Sequence, residues 1–259
     1  MLFRSEAYAP AERLRMRWLT RASARRADHV LTLSEYSRRS IMETYQLSAD
    51  RVTVAPGAVD AATFRTLEPA VVRQERQRLG VPFDYLLVVG LIQRRKNLLV
   101  LLEALRALRE TGRRDLHLVL VGRVGWGADD VYRSVAAHGL QDRVHNVEPV
   151  ETNALVALYN GARAFVYPSL FEGFGMPVLE AMSCGCPVVC SNATSLPEVA
   201  GAAALLFDPL RPEELAERLT AVLSDEALRA GLVERGRRNC ARFSWTRTAA
   251  IVQAIYHAA

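Results

Sequence analysis

A doubly wound α/β fold, a parallel sheet with helices on both faces, is what this chain of 259 residues predicts. Three observations carry the prediction. From Val71 onward, short apolar runs alternate with stretches of helical period. Most of the runs are continuously apolar, or nearly so, rather than apolar at every second position, so both faces of these strands need cover. Glycine closes two of them, at Gly90 and Gly122, as expected where strands hand over to loops.

Ahead of that alternation the chain reads differently. Residues 11–26 form a helix and 28–34 a short buried strand, after which Ser34 and Glu35 open a second helix to about Tyr45. Residues 51–57 are a strand running into Pro56 and Gly57. Across 55–66 Pro, Gly, Ala and Thr replace any apolar period, which reads as a linker.

The regular part starts with a helix at 69–79, ended by Gly80, and a strand at 85–90. A helix at 98–110 follows, with Leu98, Leu101, Leu102, Leu105 and Leu108 on one face. Next come a strand at 116–122, a helix at 128–138, a strand at 144–147 and a helix at 151–160. The strand at 164–168 leads to a short helix over 177–184, stopped by Gly185. Strands at 187–190 and 203–207 and helices at 212–223, 225–242 and 245–257 complete the chain. In such sheets ligands sit beyond the carboxyl ends of the strands. The loops at Gly90, Gly122 and 171–175 all lie there.

Composition removes several classes of function. Half the residues are hydrophobic, 24% are charged and mean hydropathy is near zero, as in ordinary soluble domains. No apolar run approaches the ~18 residues of a membrane helix, and the first residues lack the pattern of a signal peptide. A cytoplasmic location is expected. Cys184, Cys186, Cys190 and Cys240 show neither disulfide nor zinc spacing and read as buried thiols. The whole net charge of +5 sits in residues 1–26, where seven Arg face Glu6 and Glu12. No stacking aromatics interleave with those cations, so nucleic acid is not an expected partner. The helix at 11–26, with Leu14, Trp18 and Leu19 opposite its arginines, can pack as a solvated helix or lie peripherally on an anionic membrane. The first is favoured.

Two stretches carry chemistry. In Glu172-Gly173-Phe174-Gly175-Met176-Pro177-Val178-Leu179-Glu180, two carboxylates flank a tight loop and a helix start. The amides of Gly175 and Met176 lack intrahelical partners and form an anion site. A ligand spanning the stretch would be phosphate in its middle and rich in hydroxyls at both ends, as a sugar nucleotide is. Glu180 can take both ribose hydroxyls and Glu172 those of a donor sugar. Taken alone, the same residues are also ordinary loop punctuation. The second stretch, Gly90 to Asn97, holds Arg94, Arg95 and Lys96, the last being the chain's one lysine. Lys96 is the first choice for a phosphate cation, Arg95 the second and Arg94 the third; a solvated helix entrance is the alternative. The loop has neither the dinucleotide nor the Walker pattern. No Asp-x-Asp pair offers a metal site, so neither metal nor cofactor is expected. Asp129 and Asp130 open a helix, where acids are favourable. His29, His117, His138, His145 and His257 are dispersed and read as structural or surface residues.

Glu172 to Val189, with its Glu-x7-Glu, resembles the signature of retaining GT-B glycosyltransferases of family 4, the glycosyl transferases group 1 domain. Gly90 to Asn97 resembles that family's phosphate loop, and 195–201 and Phe243-Ser244-Trp245 its later landmarks. The nearest subgroup resembles bacterial mannosyltransferases of O-antigen and exopolysaccharide assembly. The resemblance implies retention by same-face attack, with Glu172 and Lys96 as catalytic residues. It further implies a donor site of Gly90, Arg94, Arg95, Lys96, Glu172, Gly173, Phe174, Gly175, Met176 and Glu180, no metal, and GDP-mannose as donor. The acceptor would be a polysaccharide or a lipid-linked glycan, at the inner face of the membrane. Leu91 stands where many relatives carry Arg, which passes part of the phosphate clamp to Arg94 or Arg95. By the same resemblance, 67–244 is the complete C-terminal Rossmann-like domain and 59–66 the linker. Residues 245–259 are the crossover helix, and 1–58 a remnant of the N-terminal acceptor domain. Met1 is then expected to be internal to a longer protein, and 29–33 and 52–54 to be short of partners. The alternative is a catalytically incomplete module that only binds sugar nucleotide. A non-hydrolysing epimerase is disfavoured by the Glu-x7-Glu.

Overall fold

The computed structural model describes residues 10–258. The chain opens with α1 (Pro10–Arg26), β1 (Val30–Thr32), α2 (Glu35–Tyr45) and β2 (Val52–Val54). β1 and β2 pair in parallel, with Val30 opposite Val52, over a small core of Ala24, Ile41, Tyr45, Leu47 and Val52. Ser34 caps α2 by accepting from the Ser37 amide. Leu31 and Leu33 remain exposed. Trp18 is 70% exposed and Leu19 also faces solvent, so the packing side foreseen for α1 is uncovered at both. The side chain of Leu14 lies outside what the structure describes.

Helices and strands then alternate: α3 (Pro69–Arg78), β3 (Tyr85–Val89), α4 (Leu98–Glu110), β4 (His117–Val121), α5 (Ala128–Ala137), β5 (Val144–Val147) and α6 (Thr152–Gly161). β6 (Ala164–Tyr167), α7 (Met176–Ser183), β7 (Val188–Ser191), α8 (Leu196–Ala200) and β8 (Ala204–Phe207) follow. The last helices are α9 (Pro212–Ser224), α10 (Glu226–Cys240) and α11 (Trp245–Ala258). β3 to β8 make one six-stranded sheet in the order β5-β4-β3-β6-β7-β8, parallel throughout.

Continuous apolar strands have the consequence expected of them. On β3, Leu86 and Val88 pack with Leu101, Leu105 and Leu108 of α4, while Tyr85 and Leu87 pack with Leu158 of α6 and Leu179 of α7. The chain leaves the centre in one direction from β3 and in the other from β6, so the order reverses between them. That reversal opens a crevice over their carboxyl ends.

Two details differ from the sequence reading. α8 was not foreseen; it has five residues with a proline inside, too short to show a period. Arg94–Lys96 form a 3-10 turn of their own, closed by Asn97 in the left-handed region at φ 53°, while α4 starts at Leu98 as the sequence reading has it.

The histidines are less dispersed than their spacing suggests. His117 and His145 meet across β4 and β5, with Phe83 stacked on both rings. Arg143 donates to His117 Nε2 at 2.8 Å, and a guanidinium cannot accept. His117 Nδ1–H must therefore donate to His145 Nε2, 2.8 Å away, and both rings are neutral. Burial, chiefly, and then Arg143 depress the pKa of His117; burial also depresses that of His145. A base with a depressed folded pKa favours folding above its unfolded pKa, and loses that contribution as pH falls through it. The melting temperature should fall by roughly 2–5 °C from pH 7.5 to 5.0, at ~2–4 °C per kcal/mol for a chain of this size. Differential scanning fluorimetry of a His117→Phe, His145→Phe double variant checks it. An undiminished acid fall in that variant would place the effect elsewhere.

Candidate functional site

The loops leaving β3 and β6 stand on either side of the crevice, and each sends side chains across it. Gly90 ends β3 at φ +131°; a Cβ there would lie 3.2 Å from Lys96 Cε and 3.3 Å from its Nζ, so the missing side chain is the space the lysine uses. Lys96 is only 6% exposed. Its Nζ donates to Tyr167 OH at 2.6 Å and to Glu172 Oε1 at 2.8 Å. Arg95 reaches the same oxygen at 2.7 Å and donates to the Phe171 carbonyl at 2.6 Å. Arg94 points elsewhere: it pairs with Asp130 at 2.8 Å and lies over Trp126 at 4.9 Å. Of the three cations, Lys96 and Arg95 converge on Glu172 and Arg94 does not. Leu91 is exposed.

These groups perturb one another. Burial alone would raise the Glu172 pKa, but Lys96 and Arg95 outweigh it and hold the carboxyl below its usual range. Burial lowers the Lys96 pKa, and Glu172 opposes that only in part. Among the described residues, no cation pairs with Glu180. Its Oε2 accepts from Tyr159 OH at 2.8 Å, and burial raises its pKa despite that bond. The Tyr167 hydroxyl feels the charge of both glutamates, and Tyr167, Phe165 and Tyr159 form one aromatic row. Lys96, Glu172 and Glu180 therefore share one side of the sheet.

The loop between the glutamates is fixed by its neighbours. The Glu172 amide donates to Thr194 Oγ1 at 3.0 Å, and Ser195 Oγ donates to the carbonyls of Glu172 and Phe174 at 3.0 and 2.9 Å. Gly175 sits at φ +113°, with Leu196 Cδ2 2.7 Å from where a Cβ would be. The amides of Gly175 and Met176 open α7, where no carbonyl one turn back can receive them. The arrangement offers an anion the helix start and two cations, and offers hydroxyl groups a carboxylate at each end.

Tyr167, Tyr159 and Thr194 escape the sequence reading, and Ser195 enters it only as the first residue of a family landmark. The tyrosines look like core, and the one available signal was that a buried tyrosine needs a partner for its hydroxyl. Elsewhere the expectations are modest. Cys184, Cys186 and Cys190 are buried and free; burial pushes Cys184 and Cys190 up to about 12, and Cys240 to about 11, so these thiols stay neutral. Among the described residues, no three His, Cys, Asp or Glu side chains gather where they could hold a metal ion, and no helix is long and apolar enough to cross a membrane.

The profile described as Glycosyl transferases group 1 matches residues 73–239. This chain belongs to that family. A second profile, Glycosyltransferase Family 4, matches residues 3–63. Among curated relatives of this group 1 chain is the O-antigen chain mannosyltransferase B of Escherichia coli, 35% identical over 246 residues, or 94% of this chain and 64% of that protein. The D-inositol 3-phosphate glycosyltransferase of Arthrobacter sp. (strain FB24) is 34% identical over 91% of this chain and 59% of its own length. The chain thus spans less than two thirds of either relative. Among solved structures, Anabaena Alr3699/HepE in complex with UDP and glucose superposes with a TM-score of 0.82 at 21% identity, covering 96% of this chain and 67% of that one. The fold is that of the GT-B glycosyltransferases, and the parallel six-stranded sheet is the expected α/β domain.

Proposed function

We propose that this chain binds a nucleotide-diphosphate sugar, GDP-mannose by preference, and supports transfer of its sugar to a polysaccharide or lipid-linked glycan with retention of configuration. The observation that carries the reading is the meeting of Lys96, Arg95 and Glu172 beside the open amides of α7, with Glu180 on the same side of the sheet. The choice of a mannosyl group follows from the similarity to mannosyltransferases of Escherichia coli.

On binding, the diphosphate takes Lys96, Arg95 and the amides of Gly175 and Met176 as its partners. Glu172, released from its cations, turns its carboxylate to hydroxyls of the donor sugar, and Glu180 accepts from the ribose. Charge on the leaving phosphate grows as the bond from sugar C1 to oxygen breaks. Preset cations and amides that meet this charge lower the barrier. The acceptor oxygen bonds to C1 on the face being vacated and gives its proton to the departing phosphate, so configuration is kept. In this reading the two cations and the helix start do what a divalent ion does elsewhere, and no cofactor enters.

Isothermal titration with GDP, GDP-mannose and UDP tests the reading. GDP and GDP-mannose are expected to bind and UDP to bind more weakly; a protein that takes up none of them overturns it. Binding without turnover, with acceptor supplied, would make the chain a donor-binding module. Glu180→Gln should weaken GDP binding by ~10–100-fold, since hydrogen bonds to a charged group are worth ~1.5–3 kcal/mol. The same change should raise the melting temperature at pH 7. A carboxyl whose folded pKa is raised stabilises below its unfolded pKa and loses that as pH rises through the folded one. The ionised Glu180 therefore costs stability at neutral pH, and glutamine does not.

A further inference from the structure

The loop bearing Glu172 is gripped from outside the six-stranded domain. Ser34 and Ser37, at the start of α2, both donate to the Gly173 carbonyl, at 2.7 and 3.1 Å. The start of α2 is held in turn by Glu198 of α8, whose two carboxylate oxygens accept from the Glu35 and Tyr36 amides at 2.9 and 3.2 Å. Tyr36 meets Phe171 edge-on with centroids 6.0 Å apart. Gly57 closes the other side: a Cβ there would lie 2.9 Å from Met176 Sδ and 3.2 Å from Phe174 Cε1. Thr248 of α11 donates to the Pro56 carbonyl next to it, and Phe243 packs on Phe174.

Each contact has a physical consequence. A carboxylate at a helix start satisfies two orphan amides and meets the positive end of the helix dipole. Two hydroxyls on one carbonyl fill both of its lone pairs and fix its direction. The Gly173 carbonyl and the Phe174 N–H belong to one planar trans peptide, so they point in opposite directions. Holding the carbonyl toward α2 aims the Phe174 amide away from α2, and does so two residues after Glu172.

We propose that Ser34, Ser37 and Glu198 are positioning residues: they couple the seating of the N-terminal unit on the sheet domain to the direction of the Gly173–Phe174 peptide, and so to the ligand side of the loop. With α2 seated, the peptide is set. With α2 withdrawn, both hydroxyl bonds are lost and the Phe174 amide is free to turn. The coupling is a property of the free protein and rests on the proposed function only for the identity of the ligand served.

Hydrogen exchange by mass spectrometry on the unliganded protein tests it, using Glu198→Ala, Glu198→Gln and Ser37→Ala. Peptides over 173–176, which Glu198 does not touch, should exchange ~10-fold faster in Glu198→Ala, as expected for a local opening. The effect should be smaller in Glu198→Gln, which keeps one acceptor, and β3 to β6 should be unchanged. Acceleration confined to Glu35 and Tyr36, or spread evenly over the sheet, overturns the coupling. If Glu198→Ala does not fold, Ser37→Ala carries the same test, because Ser34 still caps α2 and still reaches Gly173. A second arm compares ligands by titration. The variants should keep GDP affinity within about twofold while losing ~5–10-fold of any added affinity for GDP-mannose, since the Phe174 amide lies beside Glu172, the residue given to the sugar, whereas the Gly175 and Met176 amides given to the diphosphate belong to the start of α7. Equal losses for both ligands would mean general damage and sink the proposal. Should the unaltered protein bind neither ligand, the functional reading fails and the exchange result stands by itself.

Discussion

Glu172→Gln is expected to destabilise the free protein far more than Lys96→Met, although both remove one half of the same buried ion pair. The asymmetry comes from Arg95. Without Lys96, the Glu172 carboxylate keeps the Arg95 guanidinium at 2.7 Å. Without the carboxylate, the Lys96 ammonium keeps only the Tyr167 hydroxyl and a neutral amide in a site where it is 6% exposed, with Arg95 as a like charge beside it. Stranding a buried charge costs ~3–5 kcal/mol, whereas replacing a charge whose partner stays compensated costs about 1 kcal/mol. For a chain of this size the first cost lowers the melting temperature by roughly 6–20 °C.

Nucleotide binding should run the other way. In the free protein Glu172 occupies the cations that a diphosphate needs. Glu172→Gln therefore removes a competitor, and GDP should bind as tightly as before or tighter. Lys96→Met should cut GDP affinity by ~100-fold, the size expected when a charge-assisted contact to phosphate is lost from a sheltered site. In a transfer assay both variants should lose ~10²–10³ in rate, because one stabilises the leaving charge and the other the sugar. Unfolding curves and GDP titrations on the two proteins decide the matter. Equal stability losses, or a Glu172→Gln protein that no longer takes GDP, would show that the pair is not the resting form of a phosphate site.

How the site could be read in advance depends on which residues announce themselves. The central strands were legible because 85–90, 116–122 and 164–168 are apolar almost throughout, His117 excepted, as a sheet covered on both faces requires. Gly175 and Pro177 announced the start of α7, and the structure begins that helix at Met176. The ranking of Lys96, Arg95 and Arg94 could not have been finer. They occupy one 3-10 turn, where successive side chains diverge by about 120°, and only the folded loop shows that two of them turn to Glu172 and the third to Asp130. The same limit hid the histidine pair, whose members are 28 residues apart and adjacent only across a strand ladder. Ser34 and Glu198 were legible as a helix cap and as part of a family landmark. Ser34's hold on the Glu172 loop spans 139 residues and Glu198's hold on the Glu35 amide 163, and no local pattern encodes either.

Gly122→Ala should be among the most damaging single changes outside the ion pair, and its cause is backbone rather than charge. A Cβ at Gly122 would lie 2.1 Å from the Gly90 carbonyl oxygen and 2.7 Å from the carbonyl carbon, and the residue sits at φ +154°. Neither neighbour is a side chain that can swing aside. The two strand ends are tied here, since the Gly90 amide donates to the Val121 carbonyl and Gly122 to that of Val147. Relief must come from moving the β3 loop, and moving Gly90 moves the wall against which Lys96 lies. Overpacking and backbone strain of this kind cost ~3 kcal/mol or more, so the melting temperature should fall by roughly 6–12 °C and GDP binding should weaken with it. Gly80→Ala is the matched comparison: Gly80 sits at φ +71° with nothing within 4 Å of its Cβ position, so only the left-handed conformation is penalised. That penalty is ~1–2 kcal/mol with nucleotide binding untouched. If Gly122→Ala melts and binds like Gly80→Ala, the close approach of the two loops does not set the position of Lys96, and the phosphate site must be held from the β6 side alone.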